Sequence, residues 1–191
     1  MRQICFVTGN KYKYNEVKTL VNNFELISNE DLKFIEEIPE TEDSIKGNAF
    51  LKANFINKKF SVDCFSDDSG LFIEALGGDP GVRSSRYASE ISCSDMNIDL
   101  VLDNLENQKN RKAFFETCIC LIINGNIHYF NGIVNGVISS QRLGNNGFGY
   151  DPIFIPDGQN RSFAQMTLDE KIKISHRSIA TKKLVNFLNQ F

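Results

Sequence analysis

The stretch FFETCICLIINGNIHYFNGIVNGVI, residues 114–138, decides the fold class. Two apolar runs, 114–123 and 127–138, flank Asn124-Gly125-Asn126, and an Asn-Gly step between such runs signals a hairpin because its turn requires positive φ. Working back towards the start, Ile4-Cys5-Phe6-Val7 is a compact apolar run stopped at Thr8-Gly9-Asn10, which predicts a buried strand ended by a turn. Val17, Leu20 and Val21 follow helical spacing and predict a helix over 11–22, with a short strand over 24–27. The acidic stretch 29–43 carries Pro39 and reads as a loop. Ser44 or Asp43 is placed to cap a helix reaching Lys59. Strands are expected over 62–66 and 71–75, on either side of the polar step Asp67-Asp68-Ser69-Gly70, with a glycine-rich loop over 77–81. A helix capped by Ser94 or Asp95 runs to Glu106, residues 143–150 form a loop, and a last helix covers 177–189. Strands and helices mix without strict alternation, so the expected fold is α/β with a mixed sheet, in one domain over 1–191.

Composition excludes several function classes. The 191 residues carry 21 basic against 24 acidic side chains, a net charge of −3, whereas a general nucleic-acid binder carries a basic excess. The longest apolar run, 118–123, is far short of the roughly 20 residues of a membrane helix, so no membrane association is expected. The first ten residues lack the long apolar stretch of a secretory signal. Five scattered cysteines form no CxxC pair and no zinc spacing, which predicts buried free thiols in a reducing, cytoplasmic setting.

Four segments carry groups suited to chemistry. Thr8-Gly9-Asn10-Lys11-Tyr12-Lys13 stands where a strand leads into a helix, and the helix N-terminus with its lysines favours an anion such as phosphate. A solvated strand-turn-helix is the alternative, since the spacing is neither a Walker A loop nor GxGxxG. Asp67 and Asp68 follow an apolar strand; adjacent carboxylates in an extended chain point to opposite sides, so one can hold a divalent ion while its neighbour orients something else. Magnesium takes one or two carboxylates with waters and phosphates, and the acidic loop offers Glu36, Glu37, Glu40, Glu42 and Asp43 as a second donor. In Gly144-Asn145-Asn146-Gly147-Phe148-Gly149-Tyr150-Asp151-Pro152, the glycines let backbone approach a flat ligand and Phe148 can stack on a base. Lys171, with Ser175-His176-Arg177 at the start of the last helix, places cations against the helix dipole and calls for a compensating anion or acceptor. His128, between Ile127 and Tyr129, reads as structural.

In this order the segments resemble the inosine triphosphate pyrophosphatase family, enzymes that cleave non-standard purine nucleoside triphosphates. Thr8-Gly9-Asn10 with Lys13 and Glu16 is similar to the family's TGNxxKxxE, and Asn48-Ala49 with Lys52-Ala53 to its NAxxKA helix. Asp67-Asp68-Ser69-Gly70-Leu71, Pro80-Gly81, Ser85-Arg86-Tyr87-Ala88, the segment from Gly147 to Pro152, and Ser175-His176-Arg177 complete the resemblance over nearly the whole chain. It implies an elongated mixed sheet with flanking helices and two lobes around a central cleft, and hydrolysis of ITP, dITP or XTP to the monophosphate and pyrophosphate. A magnesium requirement and a homodimer are implied as well. By position, Thr8, Gly9, Asn10, Lys11, Tyr12 and Lys13 would grip the triphosphate with Lys52; Asp68 would be the catalytic carboxylate and a metal ligand, with Glu40 the second. Ser69, Phe148, Gly149, Tyr150, Asp151, Lys171, His176 and Arg177 would hold the nucleotide, with His176 and Arg177 donating to a 6-oxo group. Arg83 and Ser85 depart from the family's aromatic and alanine, Glu42 stands where glycine is common, and Gly47 where glutamate is frequent. The other readings are a Maf-like nucleotide pyrophosphatase and a catalytically silent nucleotide-binding regulator.

Overall fold

The computed structural model describes residues 2–21 and 24–190, which form a mixed α/β fold in two compact units. The first comprises residues 1–68, 117–132 and 176–191, and the second residues 69–116 and 133–175. Among the described residues no helix is long and apolar enough to cross a membrane.

In the first unit, strand β1 (Gln3–Val7) lies between β2 (Glu25–Ser28) and the start of β3 (Cys64–Ile73), parallel to both. The later half of β5 (Lys112–Ile123) and the early half of β6 (Asn126–Ile138) extend the sheet beyond β3. Alternation along β1 sends Ile4 and Phe6 to one face and Cys5 and Val7 to the other. Ile4 and Phe6 pack with Val17 of α1 (Lys11–Lys18) and with Ala180 and Leu184 of α5 (His176–Leu188). Cys5 and Val7 pack with Ala49, Ala53 and Ile56 of α2 (Ile45–Phe60). The sheet is thus covered on both faces, as parallel strands require. Helix α1 stops at Lys18, and its expected end at Asn22 lies outside the described residues. Ser44, not Asp43, caps α2 by accepting from the Gly47 N–H. The hairpin turn forms as expected, with Asn124 and Gly125 both at positive φ (49° and 76°).

The second unit holds the rest of β3, flanked by the short antiparallel β4 (Pro80–Gly81), and β7 (Phe154–Pro156) antiparallel to β6. Its core joins Leu71 and Ile73 to Ile98 and Val101 of α3 (Ser94–Asn104), with Phe115, Phe154, Phe163 and Tyr150. A short helix, α4 (Leu168–Ile174), lies near its end in sequence.

Three expectations are corrected. The two strands around a polar step are one continuous strand, because Asp67 and Asp68 are buried among cations and need no turn to reach water. Helix α3 is preceded by Cys93 with no side-chain cap, neither Ser94 nor Asp95 standing before it; its end at Asn104 lies near the expected one. Lys171 sits in a helix that the sequence reading does not contain, α4, opened by a capping box between Thr167 and Glu170; Ser175, extended, ends α4 directly before α5. All five cysteines are free, four of them buried, and burial pushes the Cys5 thiol up to about 12.

Candidate active site

Parallel pairing of β1 with β3 puts Val7 opposite Ser66, so Thr8 and Asp67 leave the paired region at the same end of the sheet. That end is the carboxyl edge of the parallel strands, the usual place for ligands in α/β folds. The turn after β1 is built by its own side chains. Asn10 caps α1, its Oδ1 accepting from the N–H groups of Tyr12 (2.9 Å) and Lys13 (3.2 Å); Thr8 Oγ1 accepts from Asn10 N–H, and Asn29 Oδ1 from Thr8 N–H. Four of the amides expected to face an anion are therefore satisfied internally, and the positive charge of the loop rests on its lysines. Lys11 and Tyr12 are exposed; Lys13 is half-buried and turns inward.

Asp67 and Asp68 take different partners, as adjacent residues of one strand should. Asp67, 1% exposed, receives Lys13 Nζ (3.3 Å to Oδ1, 3.2 Å to Oδ2) and Arg177 Nε (3.0 Å to Oδ2). Burial alone would raise its carboxyl, but Lys13 and Arg177 outweigh burial and hold it well below the usual carboxylate range. Asp68 faces Lys52 Nζ (3.8 Å) and accepts from Asn48 Nδ2 (3.3 Å). Here burial prevails: the Asp68 carboxyl is raised, with Glu40 and Asp67 adding to the rise and Lys52 and Lys13 opposing it. The two neighbouring carboxyls are thus shifted in opposite directions by their surroundings. Burial lowers Lys13, whereas Asp68 and Glu40 overcome burial and raise Lys52.

Glu40 was expected as the second metal carboxylate. Its Oε1 lies 2.5 Å from Lys52 Nζ, so Lys52 bridges the two carboxylates named for the metal. Two carboxylates reached by one ammonium match in number and type the one or two that magnesium takes, the rest of its shell being waters and phosphates. Among the described residues no group of three or more His, Cys, Asp or Glu side chains is placed to hold a metal. Two departures from the resembled family meet beside this loop. A Cβ on Gly47 would lie 2.8 Å from Glu42 Cβ and 2.9 Å from Ser44 Oγ, so Glu42 occupies the room that a side chain at 47 would need.

At the start of α5, His176 and Arg177 are both buried. Arg177 Nη1 donates to Glu16 Oε2 on α1 at 2.7 Å, while its Nε is held by Asp67. The guanidinium expected to face a purine carbonyl therefore already spans two carboxylates. Glu16, present in the sequence only as a letter of the resembled motif, is a functional candidate that its helix pattern hides: it is 5% exposed on α1. Gly132 of β6 is equally inconspicuous, yet a Cβ there would come within 2.0 Å of His176 O. His128 stacks on Phe187 at 4.4 Å, a structural role as expected.

In the second unit, Asp151 organises the glycine-rich loop. Its Oδ2 accepts from Lys171 Nζ at 2.6 Å and from Phe148 N–H at 2.9 Å, and Asp151 and Lys171 are both buried. The loop glycines serve mostly the protein itself. A Cβ on Gly147 would strike Asp151 Oδ2 (2.0 Å) and one on Gly144 would strike Ala164 O (2.4 Å); only at Gly149 is there nothing within 4 Å. Tyr150 turns its ring into the core and donates to Ser84 O, so any part it takes in ligand binding falls to its backbone. Phe148 is half-buried with Lys171 Nζ 4.7 Å from its ring centre, and Ser69 is half-buried on β3.

These features define a mixed α/β protein with paired lysines and carboxylates at the carboxyl edge of its parallel strands, a class suited to polyphosphate chemistry. Residues 4–187 match the model of the Ham1 family, and the chain belongs to that family. It is 46% identical over 186 residues to a dITP/XTP pyrophosphatase of Flavobacterium psychrophilum, covering 97% of this chain and 98% of that protein. It is 43% identical to a dITP/XTP pyrophosphatase of Porphyromonas gingivalis, covering 98% of each. The solved Ham1 protein of Coxiella burnetii superposes with a TM-score of 0.92 at 33% identity over 100% of both chains, and that of Staphylococcus aureus with 0.90 at 34% over 99% of both.

Proposed function

We propose that the protein hydrolyses non-standard purine nucleoside triphosphates, ITP, dITP and XTP, to the monophosphate and pyrophosphate, with magnesium. The carrying observation is the pairing of two half-buried amines, Lys13 and Lys52, with the adjacent carboxylates Asp67 and Asp68. Amines so placed neutralise charge on a leaving pyrophosphate. Asp68 is the carboxylate suited to position the attacking water or take its proton, a base role it fills less well the more it serves as a metal ligand; the water oxygen bonds the α-phosphorus, the α–β bridging bond breaks and pyrophosphate leaves. Asp68 and Glu40 would hold magnesium, which when bound polarises the phosphoryl oxygens. Lys11 and the turn from Thr8 to Asn10 add to the phosphate grip, with Tyr12 beside them.

The base is assigned to Ser69, Phe148, Gly149, the Tyr150 backbone, Asp151, Lys171, His176 and Arg177, by resemblance to the family. Hypoxanthine and xanthine offer a 6-oxo acceptor where adenine offers a donor, and an unpaired buried donor costs about 1–3 kcal/mol, roughly 10- to 100-fold in selectivity. A homodimer in the cytoplasm is part of the same proposal, supported by the family resemblance and the free thiols. The test is Asp68→Asn: turnover of ITP is abolished while nucleotide still binds in a calorimeter, and near-normal turnover refutes the assignment.

A further inference from the structure

Asp67 is not needed as a base in that scheme, yet it is among the most buried charged groups of the chain. Its neighbours explain why. Lys13 reaches it from α1 and Arg177 from α5, and the far side of the Arg177 guanidinium is closed by Glu16. Two cations and two anions balance. A lysine side chain has much rotamer freedom to lose, and an ammonium aims at phosphate only if something fixed holds it.

We propose that Asp67 is the positioning residue of the site: one carboxylate that aims the Lys13 ammonium and the Arg177 guanidinium at once and ties both helices to β3. The inference rests on the proposed function and assigns a role to the carboxylate that function leaves idle. Both its oxygens are occupied by cations that arrive from two different helices, so it is placed to orient them. Misplacing a phosphate-binding group by an ångström costs on the order of 100-fold in rate.

The experiment compares steady-state ITP hydrolysis in the wild type, Asp67→Asn, Lys13→Met and the double variant Lys13→Met/Asp67→Asn, with thermal unfolding of each. Wild-type protein that releases no pyrophosphate from ITP sinks the functional proposal before any variant is read. Given an active wild type, Asp67→Asn lowers kcat about 10- to 100-fold. Its KM does not rise, because the site gains one net positive charge towards a polyanion while its aim is lost. The double variant then falls less than about 10-fold below Lys13→Met, since of the two cations that Asp67 aims only Arg177 is left. A kcat for Asp67→Asn close to wild type overturns the inference. So does a raised KM with kcat unchanged, or losses that multiply in the double variant. If Asp67→Asn fails to fold, the comparison of the double variant with Lys13→Met alone decides in the same way, because that pair loses one charge of each sign.

Discussion

Gly132→Ala perturbs one methyl group on β6 and tests whether the start of α5 must sit where it does. The added Cβ would lie 2.0 Å from His176 O and 2.7 Å from Ala180 N, both backbone atoms that no rotamer change can move aside. Relief to even 3.0 Å from that oxygen requires a shift of about 1 Å between strand and helix. Overpacking of this kind costs about 1–3 kcal/mol, which for a chain of this length lowers Tm by roughly 2–12 °C. The same shift moves the first turn of α5, where Arg177 bridges Glu16 and Asp67. Activity therefore falls further than stability requires: kcat/KM for ITP drops at least about 10-fold at a temperature where the variant is fully folded. Differential scanning fluorimetry and a pyrophosphate-release assay on one preparation measure both. A Gly132→Ala variant with the Tm and the kcat/KM of the wild type refutes the close packing and the dependence of the site on it.

Three further outcomes follow from contacts described above. Lys171→Met leaves the Asp151 carboxylate buried without its ammonium and costs about 3–5 kcal/mol in denaturant unfolding; adding Asp151→Asn recovers part of the loss. Gly47→Ala gains helix propensity but collides with Glu42, so it stabilises more in a Glu42→Gly background than in the wild type, a coupling read from a double-mutant cycle of unfolding free energies. Under native conditions an alkylating reagent modifies Cys93 alone, the one thiol that is not fully buried, and all five cysteines after denaturation, as counted by mass spectrometry.

Periodicity and turn chemistry carried most of the fold. The first strand announces itself by an unbroken apolar run because both its faces are covered, and the hairpin by Asn-Gly at positions that need positive φ. What sequence pattern misplaced is where charge is buried. Asp67-Asp68-Ser69-Gly70 reads as a turn on hydropathy, yet it is strand interior, since Lys13, Arg177 and Lys52 arrive from distant segments to neutralise it. No local window holds both halves of such a pair. Helix α4, which carries Lys171, escapes a reading by apolar periodicity because it is only seven residues long and polar, although Thr167 and Glu170 supply a legible capping box. The glycines at 144 and 147 suggest room for a ligand, whereas they make room for Ala164 and Asp151, a choice that spacing alone does not resolve. Asp68, Lys13 and Lys52 stand out in sequence and do stand among cations and carboxylates; the ion pair of Glu16 with Arg177 and the tight contact at Gly132 emerge only in three dimensions.

The central claim is that this charge arrangement serves cleavage between the α- and β-phosphates of a non-standard purine nucleotide. Its most direct measurement is a steady-state panel of ITP, dITP, XTP, GTP and ATP with magnesium, scored separately for pyrophosphate and orthophosphate. ITP, dITP and XTP yield pyrophosphate and nucleoside monophosphate, with ATP slower by at least roughly 10-fold. Orthophosphate as the product, or ATP cleaved as fast as ITP, contradicts that claim.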